Sequence, residues 1–88
     1  MNYLFWEVDA GPGDVVEVTL DRQANVKLMD YSNYQNYRAG TQYRYYGGLA
    51  KVSPVRVPVP AQGHWYVVVD LGGYPGTVHA AVRVNRRA

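Results

Sequence analysis

The segment Gly63-His64-Trp65-Tyr66-Val67-Val68-Val69-Asp70-Leu71-Gly72-Gly73 decides how this sequence is read. Successive side chains of a strand point to opposite faces, so Trp65, Val67, Val69 and Leu71 share one face and His64, Tyr66, Val68 and Asp70 the other. Both faces are largely apolar, which predicts a central strand. The apolar run Trp65 to Val69 is the longest in the chain and is far too short to span a bilayer as a helix.

Working outward, the same period recurs. Val16, Val18 and Leu20 alternate with Val15, Glu17 and Thr19, and Ala24, Val26 and Leu28 with Asn25, Lys27 and Met29. The short Asp21-Arg22-Gln23 link predicts a hairpin between these two strands. Val78, Ala80, Val82 and Val84 alternate with Thr77, His79, Ala81 and Arg83, and Gly72 to Gly76 predicts a second hairpin onto the central strand. Val55, Val57 and Val59 flank Arg56 and Pro58. Proline cannot donate to a ladder, so this segment belongs at a sheet edge. Weaker strands are expected over 3–8, 42–46 and 49–52. Ser32, with Gln35 three residues on and Gly40 beyond, predicts a helix of one or two turns near 32–38.

Fifteen valines and nine tyrosines against five leucines and no isoleucine make a β composition. Eighty-eight residues suffice for one domain, and the absence of cysteine excludes disulfides and thiolate metal sites. The fold class expected is all-β: a small antiparallel, jelly-roll-like sandwich of about eight short strands, with 86–88 as a flexible tail. No secretory leader is read at the start, and the expected location is cytoplasmic.

Charge is unevenly placed. Residues 1–30 carry six acids and two bases, residues 31–69 carry Arg38, Arg44, Lys51 and Arg56 with no acid, and the remainder carries Asp70 against three arginines. The bases of the middle are expected to pair mainly with the acids of the first thirty residues across strands. Six of the nine tyrosines fall between Tyr31 and Tyr46, interleaved with Asn33, Asn36, Arg38 and Arg44. Rings supply contact area at low entropic cost while amides and guanidinium groups fix orientation. This points to a ligand-binding set of Asn33, Tyr34, Asn36, Tyr37, Arg38, Arg44 and Tyr46, against the alternative that half of the rings line the core.

Signs of catalysis are thin. Ser32 and Ser53 are the only serines, neither in a nucleophile elbow, and His64 and His79 would need to meet Asp70 to form a cluster. The function expected is a recognition module, not an enzyme, without cofactor or metal. Its partner is a protein or small molecule such as a saccharide or nucleotide derivative, and the chain is a monomer or closed homodimer away from membranes. The alternative is nucleic-acid binding by Arg38, Arg44, Lys51, Arg56 and Arg86-Arg87.

Taken together, Gly13 to Val18, Ala24 to Asp30, Ser32 to Tyr37, Tyr43 to Gly48 and Gly63 to Gly73 resemble a bacterial domain-of-unknown-function family, number eighteen eighty-three. The resemblance implies a small all-β domain, found alone or ahead of TIR signalling domains, and transfers no site residues. The Gly63 to Asp70 pattern with its glycine turn is also similar to the end of jelly-roll accessory domains of secreted peptidases.

Overall fold

A computed structural model describes residues 2–87. Seven strands and one helix follow in the order β1 (Tyr3–Ala10), β2 (Val15–Leu20), β3 (Ala24–Met29), α1 (Tyr31–Ala39), β4 (Tyr46–Ala50), β5 (Val55–Pro58), β6 (Gly63–Asp70) and β7 (Ala80–Asn85). They form two antiparallel sheets, β1-β6-β3-β4 and β5-β2-β7, an all-β sandwich. Alternation fixes what lies between the layers. Val16, Val18, Val26, Leu28, Val67 and Val69 form its centre, with Trp65, Val57 and Val59 closing the rim.

The second face of β6 is apolar because α1 lies on it. Met29, Tyr34, Tyr37, Tyr66 and Val68 make a second, smaller core between helix and sheet. Tyr34 stacks on Tyr66 with centroids 4.2 Å apart and planes 7° from parallel. β6 is interior and β5 is an edge, as the sequence predicts.

Neither expected hairpin forms. β2 is flanked by β5 and β7, so both of its ladders are taken and Asp21–Gln23 carries the chain across to the other sheet. β6 is likewise flanked by β1 and β3, and Gly72–Gly76 crosses back so that β7 pairs with β2. Residues 42–45 are not strand, and β4 starts only at Tyr46. Helix α1 is capped by Asp30 rather than Ser32. The Asp30 carboxylate accepts from the Asn33 N–H at 3.0 Å, and Gly40, in the left-handed region at φ 75°, ends the helix. In the C-terminal segment the Arg87 N–H donates to Asp14 and Arg86 to the Asp9 carbonyl, while Ala88 lies outside the described residues.

Candidate functional site

The sequence between β3 and β4 folds inward and then outward. Asp30 starts α1, and the three-residue tyrosine spacing carries Tyr34 and Tyr37 onto the sheet, leaving them 4% and 5% exposed. Asn33 then ties helix to loop. Its Nδ2 donates to Asp30 Oδ1 at 2.8 Å, and its Oδ1 accepts from the Arg44 N–H at 2.8 Å. Lys27 lies beneath this loop, its Nζ 5.2–5.3 Å from the ring centroids of Tyr37, Tyr43 and Tyr45. A cation so placed is attracted by each ring face and holds the loop down.

The loop and the start of β4 enclose a groove of about 480 Å³. Asp30, Asn33 and Arg44 form its polar side, and Tyr45, Tyr46 and Trp65 its aromatic side, over Met29 and Tyr43. Tyr46 stands edge-on to Trp65 at 6.2 Å and is half exposed, as is Tyr45. The Trp65 indole N–H is already committed to the Ala61 carbonyl and the side chain is only 8% exposed, so this ring backs the groove rather than supplying a donor. Arg44 is exposed and forms no ion pair among the described residues.

Of the seven residues expected to bind ligand, Asn33, Arg44 and Tyr46 line this groove together. Tyr34 and Tyr37 belong to the core beneath α1. Asn36 and Arg38 are exposed on the helix, Arg38 5.8 Å over the Tyr34 ring and bonded to Gln35. Tyr45, Asp30 and Trp65 were not in that set. Tyr45 belongs to the same aromatic run, but Trp65 reaches the groove from β6 across the end of β3, which lies between β6 and β4.

The remaining polar groups are bound elsewhere. Asp70, 1% exposed, accepts from Asn25 Nδ2 at 2.8 Å, the Gly72 N–H at 2.9 Å, the Tyr37 hydroxyl at 2.7 Å and Lys27 Nζ at 3.1 Å. Burial alone would push its carboxyl up, but the bonds from Asn25, Tyr37, Lys27 and Gly72 outweigh it and hold the group below its ordinary value. Lys27 is likewise opposed by burial, yet its bonds to Tyr43 and Asp70 keep it charged, its pKa raised. Burial first, then the bond to Asp70, pushes the Tyr37 phenol up strongly.

The histidines do not meet Asp70. His64 sits between Asp9 at 2.8 Å and Glu7 at 2.9 Å, and His79 beside Asp21 at 2.8 Å. Among the described residues no three His, Asp or Glu side chains converge as a metal site. Glu17, on the outer face of β2, pairs with Arg56 and Arg83 from the two neighbouring strands, and Arg86 approaches Asp14 at 3.5 Å. Among the described residues, cross-strand pairing therefore absorbs Arg56 but not Arg38, Arg44 or Lys51.

No described helix is long and apolar enough to cross a membrane. Neither the curated proteins nor the solved structures contain a match to this chain. The model of one family, described as Domain of unknown function (DUF1883), matches residues 1–88, and with its whole length covered the chain belongs to that family.

Proposed function

We propose that this domain is a non-catalytic recognition module that takes a segment of a partner protein, or a small ring-bearing polar ligand, into the groove of Asn33, Arg44, Tyr45, Tyr46 and Trp65. The observation that carries the reading is that Arg44, whose guanidinium has no ion pair among the described residues, lines the same preformed cleft as the exposed rings of Tyr45 and Tyr46. Rings bind the faces of sugars, bases or apolar side chains, and a guanidinium fixes an oxygen-bearing group beside them. The groove is also braced. Asn33 holds the Arg44 backbone, and Lys27 holds the Tyr45 ring, so little order is lost on binding.

Two further observations favour recognition over chemistry at this surface. Asp70, the most buried carboxylate, is held by four donors, and both histidines are tied to exposed carboxylates away from the groove. The nucleic-acid reading is less favoured, because Arg56, Arg83 and Arg86 lie against Glu17 and Asp14 and would have to leave them to neutralise phosphates.

The test uses the ¹⁵N-labelled full chain with three probes: AMP, N-acetylglucosamine and peptides selected from a random decapeptide library. Binding of at least one should shift the resonances of Asn33, Arg44 and Tyr46 and the Trp65 indole, and Arg44→Ala with Tyr46→Ala should remove the shifts. Shifts centred elsewhere, or none with all three probes, overturn the reading.

A further inference from the structure

The groove does not end at Tyr46. A shallow trough of about 830 Å³ continues from it along β4 and the turn into β5, reaching Pro58. Its surface holds three of the most exposed large apolar side chains of the described residues, Tyr46 at 51%, Leu49 at 56% and Val52 at 78%. β4 pairs with β3 on one side only, and among the described residues its other edge has no ladder partner. Gly47 and Gly48 leave the middle of that edge bare. A Cβ on Gly48 would meet nothing within 4 Å, whereas one on Gly47 would collide with the Val26 carbonyl.

An unpaired strand edge beside exposed apolar side chains is a template for another strand. The other edges are guarded or unsuited. β5 carries Pro58, which has no N–H, and Arg56. β1 also carries exposed Leu4 and Phe5, but Glu7 and Asp9 on the same strand would repel an acidic segment, and none of the large exposed apolar side chains lies on β7. Around β4 the sign is opposite to that on β1. Arg44 precedes the strand and Lys51 follows it, both exposed and neither in an ion pair among the described residues, within a stretch from 31 to 69 that holds no acid.

We infer that β4 takes up an extended acidic segment of a partner protein as an added strand, its apolar side chains on Leu49 and Val52 and its acidic ends at Arg44 and Lys51. This rests on the groove reading above and names its occupant. Five residues of β4 span roughly 17 Å, so the segment needs about five to eight residues. Ladder bonds give it affinity whatever its sequence, and the cationic ends select acidic chains over basic ones.

The experiment starts from the decapeptides selected on the full chain. Enriched sequences should alternate apolar and polar residues and carry Asp or Glu at both ends. A synthetic enriched peptide should bind at least tenfold more weakly to Arg44→Glu with Lys51→Glu, which lie at exposed positions and should leave the fold intact by circular dichroism. On peptide addition the outward-facing amides of 46–50 should exchange at least tenfold more slowly. Peptide shifts at Arg44 and Tyr46 without that slowing, or AMP or N-acetylglucosamine binding with no peptide enriched, would overturn strand addition and leave the groove reading standing. Enriched peptides that protect β1 instead, with neither small probe in the groove, would overturn both.

Discussion

The Tyr37 hydroxyl donates to Asp70 Oδ2 at 2.7 Å, joining α1 to β6, an interior strand of the four-stranded sheet, through a buried bond. A hydrogen bond to a charged acceptor contributes about 1.5–3 kcal/mol, and phenylalanine keeps the ring while removing the donor. Tyr37→Phe should therefore lower the melting temperature by roughly 6–24 °C, since 1 kcal/mol is worth roughly 4–8 °C in a domain of this size. Tyr34→Phe loses only its 3.1 Å contact with the Tyr3 hydroxyl and should cost much less. Equal effects of the two substitutions would remove Asp70 from the account of how α1 is held.

Lys27 and Asp70 form the buried ion pair of the outer face, their side chains 10% and 0% exposed. Removing one member of such a pair leaves an uncompensated charge, at a cost of about 3–5 kcal/mol. Lys27→Met should show that loss in urea unfolding, and adding Asp70→Asn should recover part of it. A double-mutant cycle should give a coupling of roughly 0.5–3 kcal/mol. Strict additivity would mean that Asn25, Tyr37 and Gly72 satisfy Asp70 without the lysine.

Much of this architecture is legible in two-residue alternation, and the failures have a common cause. Val16, Val18, Leu20 and Val26, Leu28 name the inner faces correctly because burial acts on single strands. Pairing is a property of two strands, and the length of Asp21–Gln23 says only that they are close in sequence. Once β5 and β7 occupy both ladders of β2, a three-residue link must change sheets. The two-faced apolar pattern of β6 marks it as interior without revealing that the cover is α1. At the site, tyrosine spacing could not separate Tyr34 and Tyr37, which face Tyr66 and Asp70, from exposed Tyr31, because the cap at Asp30 sets which way the helix faces. Trp65 is nineteen residues beyond Tyr46, and only the sheet order joins them.

Stability should fall on the acid side. Asp70 is held below its ordinary value of 3.8 by donated bonds that outweigh burial, and Asp14 by the N–H groups of Gly11 and Arg87. A carboxyl depressed in the folded state stabilises above its unfolded value and loses that contribution as pH drops through the folded one. The urea midpoint should therefore be level from about pH 5 upward as far as these groups are concerned, and decline below about pH 4. Asp70→Asn should start lower and show a shallower decline. An undiminished slope in that variant would assign the acid limb to other carboxylates.

His64 acts in the opposite direction. Bonds to Asp9 and then Glu7 raise its pKa above 6.5 against opposing desolvation, because a ring that faces two carboxylates donates to both only as the imidazolium. Its contribution is complete below pH 6.5 while the carboxylates stay ionised, and is lost as pH rises through the folded value. The His64 ring protons should titrate above 6.5 by NMR, and Glu7→Gln with Asp9→Asn should return the midpoint toward 6.5. A midpoint unmoved by both substitutions would show that the two contacts do not persist in solution.

Binding and stability should separate at the groove. Arg44 and Tyr46 are exposed, and Arg44 contributes its backbone N–H, not its guanidinium, to the bond with Asn33. Surface truncations of this kind usually change stability by no more than about 0.5 kcal/mol, so Arg44→Ala and Tyr46→Ala should melt near the parent temperature. Tyr34→Ala, by contrast, empties a core position stacked on Tyr66 and should cost about 3–5 kcal/mol. If the groove is the recognition surface, the first two variants lose probe binding at unchanged stability. Weak binding that instead tracked melting temperature across all three would show that Arg44 and Tyr46 hold the fold rather than meet a ligand.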